Sequence, residues 1–510
     1  MLTMKPGLII KRIFHGDDLK ARCARSSIIL GIGAFVAKFL GFGSKVILTR
    51  LLIPGEMGLM VMIISLTQLF EVLTEIGIKQ SVIQNERGGQ QEYLNMAWWF
   101  QSLRGVGLYV VSFILAPLLC EFYFHGRSEI LGIYSMEGLT TLVRVAFLSI
   151  LFNGFISPKA YVLEKKFRFG RVVVIRQGSF IFGAIITIIL AFAMRNVWAI
   201  VVGFAATGFT RCLMSYALCP FMPRFAYHGK SFQALYRFAK GMIGLPLLTY
   251  IAFNIDVLVV GKLVSTSLLG LYGMALTLAV TPRELFNQII SPILLPAFTE
   301  KQDDREALCA AVLKITRAIA LFAIPLVSFE ILCSKTLLSF VYGEQYSAVA
   351  APFGLLCIYV LFLIEGAVLG NVFFSIGQPG KHRAFVGFRA LILVVFMYPA
   401  TKLFGLTGAA AIVTLASFAA ICLQVIIIRK AIGLNIFNYV ISWVPGLILS
   451  VPVLAVFVVA RGLMPDLPIV HLVIGGFSCI VVWVFGLLLS KFFDKWHKET
   501  GAEVVVEKQV

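Results

Sequence analysis

The chain has 510 residues, of which 59% are hydrophobic and 14% are charged, and its formal net charge is +19. A water-soluble protein of this length needs a polar exterior, so the composition and the mean hydropathy of +0.93 exclude an ordinary soluble domain. The basic residues fall in alternate connections rather than in one patch, which argues against nucleic-acid binding.

Apolar runs separated by charged or turn-rich breaks recur along the whole chain. Each run is about 20 residues long, the length that a helix needs to cross a bilayer. The pattern predicts an all-α polytopic membrane protein with fourteen transmembrane helices, at residues 25–50, 54–78, 93–120, 139–162, 171–194, 197–219, 239–262, 267–298, 309–334, 346–377, 383–404, 406–430, 438–461 and 468–491.

Lysine and arginine are distributed unequally between the two sides that these spans define. Thirty of the 44 lie in or beside the two tails and the connections on the same side, whereas seven lie in the opposite connections. Because basic connections stay in the cytoplasm, both termini are predicted to be cytoplasmic. The connections 161–177 and 228–241 mix basic with aromatic residues, and either lie at anionic headgroups or only set the topology.

An internal repeat emerges when the sequence is compared with itself at an offset of 212 residues. Residues 49–66 then align with 261–278, and Gly58 meets Gly270. This offset pairs helix 1 with helix 7 and helix 2 with helix 8, as a duplicated six-helix unit requires. We therefore predict two lobes around a central cavity, with a basic cytoplasmic tail (1–24), an N-lobe (25–219), a cytoplasmic linker (220–238), a C-lobe (239–430), helices 13 and 14 (431–491) and a cytoplasmic tail (492–510).

Basic residues inside the apolar helices are the main indication of function. A charge within the bilayer is costly unless it faces protein or water. Lys38 and Lys45 share one face of helix 1 with Gly41 between them, which leaves room beside the backbone. Cations from both halves can form an anion site, and pyrophosphate is the obvious membrane-borne dianion. The candidate pyrophosphate ligands are Lys38, Lys45, Arg104 and Arg283.

A structural alternative for the same cations stays open. Intramembrane charges often pair with one another, so these cations can instead bind acidic residues of neighbouring helices. The candidate ion-pairing or ion-coupling acids are Asp256, Glu284 and Glu365. A further group lies nearer helix ends, where side chains reach the interface at little cost: Glu71, Glu75, Arg144, Arg176, Arg211 and Glu330.

Motifs for catalysis are absent from the sequence. It contains no GxxxxGK[ST], no HExxH and no cluster of Cys and His with metal-ligand spacing. We therefore expect a protein that is not an enzyme and that has no metal or cofactor. Any transport would be driven by gradients or by consumption of the substrate.

Four stretches resemble one family of membrane proteins. They are LTRLLIPGEMGLM (48–60), the segment 81–105, the segment 237–282 and LLPAFTEKQDD (294–304). In order and spacing, over roughly residues 25–430, the chain resembles the oligosaccharide-lipid flippases of the multidrug/oligosaccharidyl-lipid/polysaccharide superfamily. The subgroup that it resembles contains the colanic acid, xanthan and succinoglycan exporters.

The first helix also resembles that of the related lipid II flippases. In AKFLGFGSK (37–45), Lys38 takes the place of their Arg. The second cation of their motif falls on Ser44, so the role of Lys45 depends on helical spacing alone.

This resemblance implies two lobes with alternating access, and a groove for the lipid tail on helices 13 and 14. It implies export of undecaprenyl-pyrophosphate-linked oligosaccharide repeat units across the bacterial inner membrane, for surface polysaccharide or exopolysaccharide assembly. The expected partners are that lipid-linked substrate and the bilayer. A polysaccharide polymerase and export machinery are candidate partners, and nucleic acid is not expected.

Two other functions compete with this reading. A cation-coupled multidrug antiporter of the same superfamily would use Asp256 and Glu365 to bind cations, but the excess of Lys and Arg inside the helices argues against it. A membrane glycan polymerase or ligase would carry catalytic residues on large extracytoplasmic loops, whereas the longest such connection here, about 121–138, is short.

Overall fold

The structure of the protein is a computed structural model that describes residues 19–166, 168–224, 227–242, 244–464 and 467–499. Every regular element in these ranges is helical. The all-α architecture predicted from composition is therefore confirmed. Most of the two predicted cytoplasmic tails, 1–24 and 492–510, lies outside the described residues.

Within the described residues, fourteen long helices cover the predicted spans. Twelve described segments are long and apolar enough to cross a membrane, and one of them, Pro379–Ile432, contains two helices that meet at Gly405. A further long helix, Thr266–Ile289, is not among those twelve and carries Arg283 and Glu284. In chain order, the helices are α1 (Leu19–Leu51), α2 (Pro54–Leu73), α3 (Gln91–Phe124), α4 (Met136–Gly154), α5 (Phe169–Met194), α6 (Trp198–Leu218), α7 (Leu245–Leu263), α8 (Thr266–Ile289), α9 (Arg305–Leu332), α10 (Ala350–Ser375), α11 (379–404), α12 (406–432), α13 (Val444–Leu463) and α14 (Pro468–Glu499).

Local sequence explains where several helices begin and end. The Ser135 hydroxyl accepts a hydrogen bond from the Gly138 N–H at the start of α4, and the Asp304 carboxylate accepts one from the Ala307 N–H at the start of α9. Such side-chain caps satisfy amide groups that have no partner inside the helix. Gly405 has φ +58°, which favours glycine, so α11 and α12 separate at the predicted residue.

Two predicted spans are longer than the helices that occupy them. The second span was predicted to reach residue 78, but α2 ends at Leu73 and a short helix, Ile78–Gln84, follows. The fourth span was predicted to reach residue 162, but α4 ends at Gly154, and Lys159–Lys165 forms a separate helix after Pro158. The short helices Ile78–Gln84 and Lys159–Lys165 both contribute residues to the candidate site.

Two other spans are divided by residues that disfavour a continuous helix. Gly244, with φ +88°, separates the amphipathic helix Gly229–Met242 from α7, whose predicted start was residue 239. The eighth span was predicted to continue to residue 298. It divides at Ile290, because Pro292 has no N–H to continue the helical hydrogen bonding of α8.

The helices divide into two compact units. Unit 1 contains the chain up to Met274 together with Ala390–Leu406, and unit 2 contains Ala275–Arg389 and the chain from Thr407 onward. In unit 1, α3 packs on α4, α6 packs on α4 and α5, and α7 packs on α2. In unit 2, α9 packs on α10 and α13, and α13 packs on α14. The lobe limits drawn from the repeat stay a prediction.

The 212-residue repeat is visible in a helix crossing inside unit 1. A Cβ atom on Gly58 would lie 1.8 Å from the Thr266 carbonyl oxygen, and one on Gly270 would lie 2.0 Å from the Pro54 carbonyl oxygen. The two contacts exchange under the repeat, since 54 corresponds to 266 and 58 to 270. Reciprocal contacts of this kind mark a two-fold relation, here between α2 and the start of α8. The two six-helix repeats predicted from sequence therefore share a glycine-lined crossing.

Substituting Gly58 with alanine should destabilise the protein, because the new methyl group would overlap a backbone carbonyl that cannot rotate away. We expect a loss of about 1–3 kcal/mol, as for overpacked cores, and a similar loss for Gly270→Ala. The matched control is Gly43→Ala in α1, where an added Cβ meets nothing within 4 Å. Thermal unfolding in detergent checks this, and equal midpoints for Gly58→Ala and Gly43→Ala would contradict the crossing.

Candidate functional site

A polar cavity of about 620 Å³ lies inside unit 1, surrounded by α2 to α6 and the short helices at their ends. We call it the α2–α6 cavity. Its wall contains four basic and three acidic side chains, in addition to neutral amides and a tyrosine. These charged residues are Lys79, Arg104, Arg176, Arg211, Glu71, Glu75 and Glu164. Concave spaces of this size with a few convergent polar groups are typical of ligand sites.

A close crossing of α3 and α4 brings their polar residues to the cavity. A Cβ atom on Gly105 would lie 2.7 Å from the Cα of Gly154, so the two backbones touch. Gln101, one turn before Gly105, donates to the carbonyl groups of Asn153 and Ile156 at 3.0 and 3.3 Å. Helix α3 is thereby fixed in the rotation that directs Gln101 and its neighbour Arg104 toward the cavity.

Helix α5 contributes through an irregular turn. Residues Val174–Gly178 form a π-helical turn, which carries Arg176 and Gln177 into the cavity wall. Turns of this kind are rare and occur frequently at functional sites. Phe180 follows directly and lines the same cavity.

Arg104 is held against the end of α2 by all three of its nitrogen atoms. Nε donates to the Thr74 hydroxyl at 3.1 Å, Nη1 pairs with the Glu75 carboxylate at 3.1 Å, and Nη2 donates to the Glu71 carbonyl at 3.0 Å. A cation at a helix C-terminus binds free carbonyl groups and interacts favourably with the negative end of the helix dipole. Arg104 therefore pairs with Glu75, rather than with one of the three acids considered from sequence.

The other charged residues of the cavity have different surroundings. Glu164 accepts from Lys79 at 2.7 Å and from Arg176 at 2.9 Å, so two cations share one carboxylate. The Glu71 carboxylate accepts from Asn153 Nδ2 at 2.7 Å. Within the described part of the chain, Arg211 Nε is buried and has no hydrogen-bond partner.

Tyr161, in the short helix Lys159–Lys165 after α4, lines the cavity. Its hydroxyl donates to the Gln101 side chain at 3.0 Å. Burial raises the pKa of Tyr161 to about 12, so the hydroxyl keeps its proton near neutral pH and remains a donor.

A second space in unit 1 shares one residue with this cavity. A cleft of about 490 Å³ lies between α2 and α7, lined by Gln68 and Val72 on one side and by Tyr250 and Asn254 on the other. Glu71 lines both the cleft and the α2–α6 cavity. Glu71 is therefore common to the lining of both spaces.

The two predicted lysines of helix 1 lie outside the lining of the α2–α6 cavity. Lys38 is exposed and Lys45 is half-buried on α1. The space predicted beside Gly41 is occupied by the Phe180 ring, since a Cβ on Gly41 would lie 2.8 Å from Phe180 Cζ. Helix α1 therefore packs on α5 at Gly41, and Phe180, which contacts Gly41, also lines the cavity.

The remaining predicted cation, Arg283, belongs to unit 2, where it is half-buried on α8. It lies within electrostatic range of Tyr359, Arg389 and the adjacent Glu284. Arg389 is buried, and its guanidinium donates to the Tyr359 hydroxyl at 2.9 Å. Sequence reasoning did not select Arg389, because it lies close to the basic connection before α11.

Two of the three predicted acids, Asp256 and Glu365, are buried and accept hydrogen bonds from hydroxyl groups, while Glu284 is half-buried. Asp256 accepts from the Tyr272 hydroxyl at 3.0 Å in unit 1. Glu365, fully buried in unit 2, accepts from Thr316 at 2.7 Å and from Tyr439 at 3.1 Å through one carboxylate oxygen. Among the described residues, no group of three or more His, Cys, Asp or Glu side chains is arranged to hold a metal ion.

Glu71, Glu75, Arg176 and Arg211 were recognised in the sequence only as residues near helix ends. In the structure they form the wall of one cavity together with Arg104. The order of the spans in the sequence contains a signal for this cavity, because α2, α4 and α6 end on the same side on which α3 and α5 begin. Charges of both signs near those ends are therefore neighbours across the bundle.

These features define a polytopic helical membrane protein with a mixed-charge cavity inside its first helical repeat. The model of the polysaccharide biosynthesis protein family matches residues 47–351, and the chain belongs to this family. The resemblance noted in the sequence is thereby confirmed.

Individual relatives are distant but cover most of the chain. The lipopolysaccharide biosynthesis protein WzxC of Escherichia coli K12 is 22% identical over 426 residues, which is 82% of this chain and 83% of that protein. The succinoglycan biosynthesis transport protein ExoT of Rhizobium meliloti 1021 is 22% identical over 336 residues, 65% of this chain and 64% of that protein.

Among solved structures, the lipid II flippase MurJ in an inward closed conformation superposes with a TM-score of 0.73. Its sequence identity is 14%, and the match covers 92% of this chain and 99% of MurJ. This likeness confirms the predicted all-α polytopic fold, which the chain shares with MurJ.

Replacing Arg104 with lysine should destabilise unit 1, because a single ammonium group cannot reach Thr74, Glu75 and the Glu71 carbonyl together. We expect a loss of about 1–3 kcal/mol, typical of hydrogen bonds to a charged group. Thermal unfolding of the purified protein measures it, with the exposed Arg87→Lys as the matched control. Equal stability of the two variants would show that the Arg104 contacts do not hold the end of α2.

Proposed function

We propose that this protein carries undecaprenyl-pyrophosphate-linked oligosaccharide repeat units across the bacterial inner membrane for surface polysaccharide or exopolysaccharide assembly. It would act by alternating access of its two lobes, as a carrier and not as an enzyme. The observation that supports this proposal most strongly is the α2–α6 cavity, a space of about 620 Å³ with seven charged side chains inside a bundle of apolar helices.

The chemistry of this cavity suits a polar head group. Carboxylates and side-chain amides exchange hydrogen bonds with sugar hydroxyl groups, while guanidinium groups bind phosphate in a bidentate manner. A head group of sugars and diphosphate needs both types of contact to leave water. The polyprenyl tail is apolar and can remain in the lipid, so the protein lowers the barrier only for the head group.

The proposed topology brings the charged residues of the cavity to the loading side. With both termini in the cytoplasm, α2, α4 and α6 end at the cytoplasmic face, and the charged residues of the cavity lie near those ends. A lipid-linked oligosaccharide assembled on the cytoplasmic leaflet would meet this charged region first.

The four cations selected from the sequence keep their proposed role as pyrophosphate ligands, although they differ in surroundings. Arg104 already contacts three groups at the end of α2, and Arg283 lies near a second arginine in unit 2. Lys38 and Lys45 would engage a head group that moves along α1. The undecaprenyl-pyrophosphate oligosaccharide and the lipid bilayer are the proposed partners, and a polymerase and export machinery would receive the product.

The alternative is a cation-coupled multidrug antiporter of the same superfamily. Such a protein needs carboxylates that are available to a cationic substrate. The Asp256 and Glu365 carboxylates instead accept hydrogen bonds from buried hydroxyl groups, and basic residues outnumber acidic ones in the α2–α6 cavity. Both observations favour an anionic head group.

Deleting the gene should abolish the surface polysaccharide, and complementation with the variants Lys38→Ala, Arg104→Ala and Arg283→Ala should restore export only partially. The measurement is polysaccharide at the cell surface, normalised to the amount of each variant in the membrane so that misfolding is not scored as loss of transport. Lys430→Ala, an exposed change at the end of α12, is the control.

Full export by all three variants at normal protein levels would reject the cationic site. A deletion strain with intact polysaccharide and altered drug sensitivity would favour the antiporter.

A further inference from the structure

Arg211 and Glu71 differ from the other charged residues of the α2–α6 cavity. Glu75 is bound by Arg104, and Glu164 is bound by both Lys79 and Arg176. Two carboxylates are thus matched by three cations. Arg211 and Glu71 are the charged residues of the cavity that remain outside these ion pairs.

Arg211 has the features of an anion ligand. It lies near the end of α6 and lines the cavity, and its Nε is buried without a hydrogen-bond partner in the described part of the structure. Buried polar groups are almost always satisfied, so an orphaned donor beside a cavity indicates a group that binds there. A guanidinium is planar and matches the geometry of phosphate oxygens.

Arg176 offers a second set of donors to the same anion. It lies on the π-helical turn of α5, lines the cavity and is within electrostatic range of Arg211. Its bond to Glu164 leaves that carboxylate still held by Lys79 if Arg176 turns toward a ligand. The cavity can therefore supply two guanidinium groups without leaving Glu164 unpaired.

Glu71 opposes anion binding while it is ionised. The ionisable groups that face its carboxyl are Glu75 from its own helix, Arg104 from α3 and Arg211 from α6, while Tyr250 of α7 lines the cleft on its other side. From α4, the neutral Asn153 donates to it. A charged Glu71 thus offsets the field of Arg211, and a proton on Glu71 removes this negative charge from the wall.

Glu71 also adjoins two spaces. It lines the α2–α6 cavity and the cleft between α2 and α7. If the site binds an anion more tightly when Glu71 is neutral, linkage requires that the bound anion raises the proton affinity of Glu71.

From this geometry we infer that the α2–α6 cavity is a phosphoanion site, in which Arg211 and Arg176 bind the phosphate oxygens and Glu71 takes up a proton when the anion binds. The phosphoanion belongs either to the diphosphate of the lipid-linked substrate or to a free cytoplasmic phosphate compound. The inference rests on the proposed function only for the first of these sources.

The test is calorimetric titration of the full-length protein in lipid nanodiscs with two probes, inorganic pyrophosphate and farnesyl diphosphate, from mildly acidic to mildly alkaline pH. Repeating each titration in buffers of different ionisation enthalpy counts the protons that are taken up. With wild-type protein, binding should weaken by roughly tenfold for each pH unit once Glu71 is ionised in the free protein.

The variants separate the two parts of the inference. Glu71→Gln should keep tight binding but lose this dependence of affinity on pH. The ligand itself titrates equally in both experiments, so the difference between the variant and wild type reports Glu71 alone. Arg211→Gln should weaken binding by about tenfold or more at every pH, and Lys430→Ala should bind as wild type. Thermal unfolding of each variant confirms that it is folded.

Each result of these titrations either supports or overturns the inference. Binding of both probes leaves both sources compatible with the site, while binding of farnesyl diphosphate alone assigns the lipid-linked substrate, and binding of pyrophosphate alone assigns a free phosphate compound. Binding of neither probe, wild-type affinity in Arg211→Gln, or equal proton uptake in wild type and Glu71→Gln would overturn the inference. Because polysaccharide export in cells is measured separately, failure of this site and failure of the proposed function are distinguishable.

Discussion

The cost of placing an ionised side chain in hydrocarbon is the constraint on which the rest of this structure depends. The chain meets it by gathering charges of both signs inside one bundle. Arg104 reaches back to the end of α2, and Glu164 is shared by two cations. The result is a charged space that apolar helices enclose. The proposed carriage of a polar head group depends on this space.

Small residues make that arrangement possible. Gly105 and Gly154 let α3 and α4 touch, which fixes the rotation of the helices that carry Gln101 and Arg104. Gly58 and Gly270 perform the same role between α2 and the start of α8, at positions that the repeat exchanges. Close backbone approach replaces the hydrophobic driving force that soluble helices have and that lipid does not provide.

The sequence predicted the fold better than the site, for a physical reason. A spanning helix must be long and apolar, so fourteen spans could be read from composition, and the Gly405 break and the Gly58–Gly270 pairing could be found as well. Hydropathy contains no information about helix rotation. Arg104 and its partner Glu75 are 29 residues apart, and Arg211 and Arg176 resemble interfacial residues until the bundle brings them together. The Phe180 ring fills the space beside Gly41 for the same reason, since contacts between α1 and α5 are tertiary.

Transbilayer movement in a reconstituted system tests the central claim most directly. Liposomes containing the purified protein and a polyprenyl-diphosphate-linked oligosaccharide would be probed with an enzyme that degrades only sugars on the outer face. We expect the protein to make the inner pool accessible, whereas the same oligosaccharide on a lipid without phosphate should remain protected. Equal protection with and without the protein would contradict the account, as would movement that is indifferent to the diphosphate.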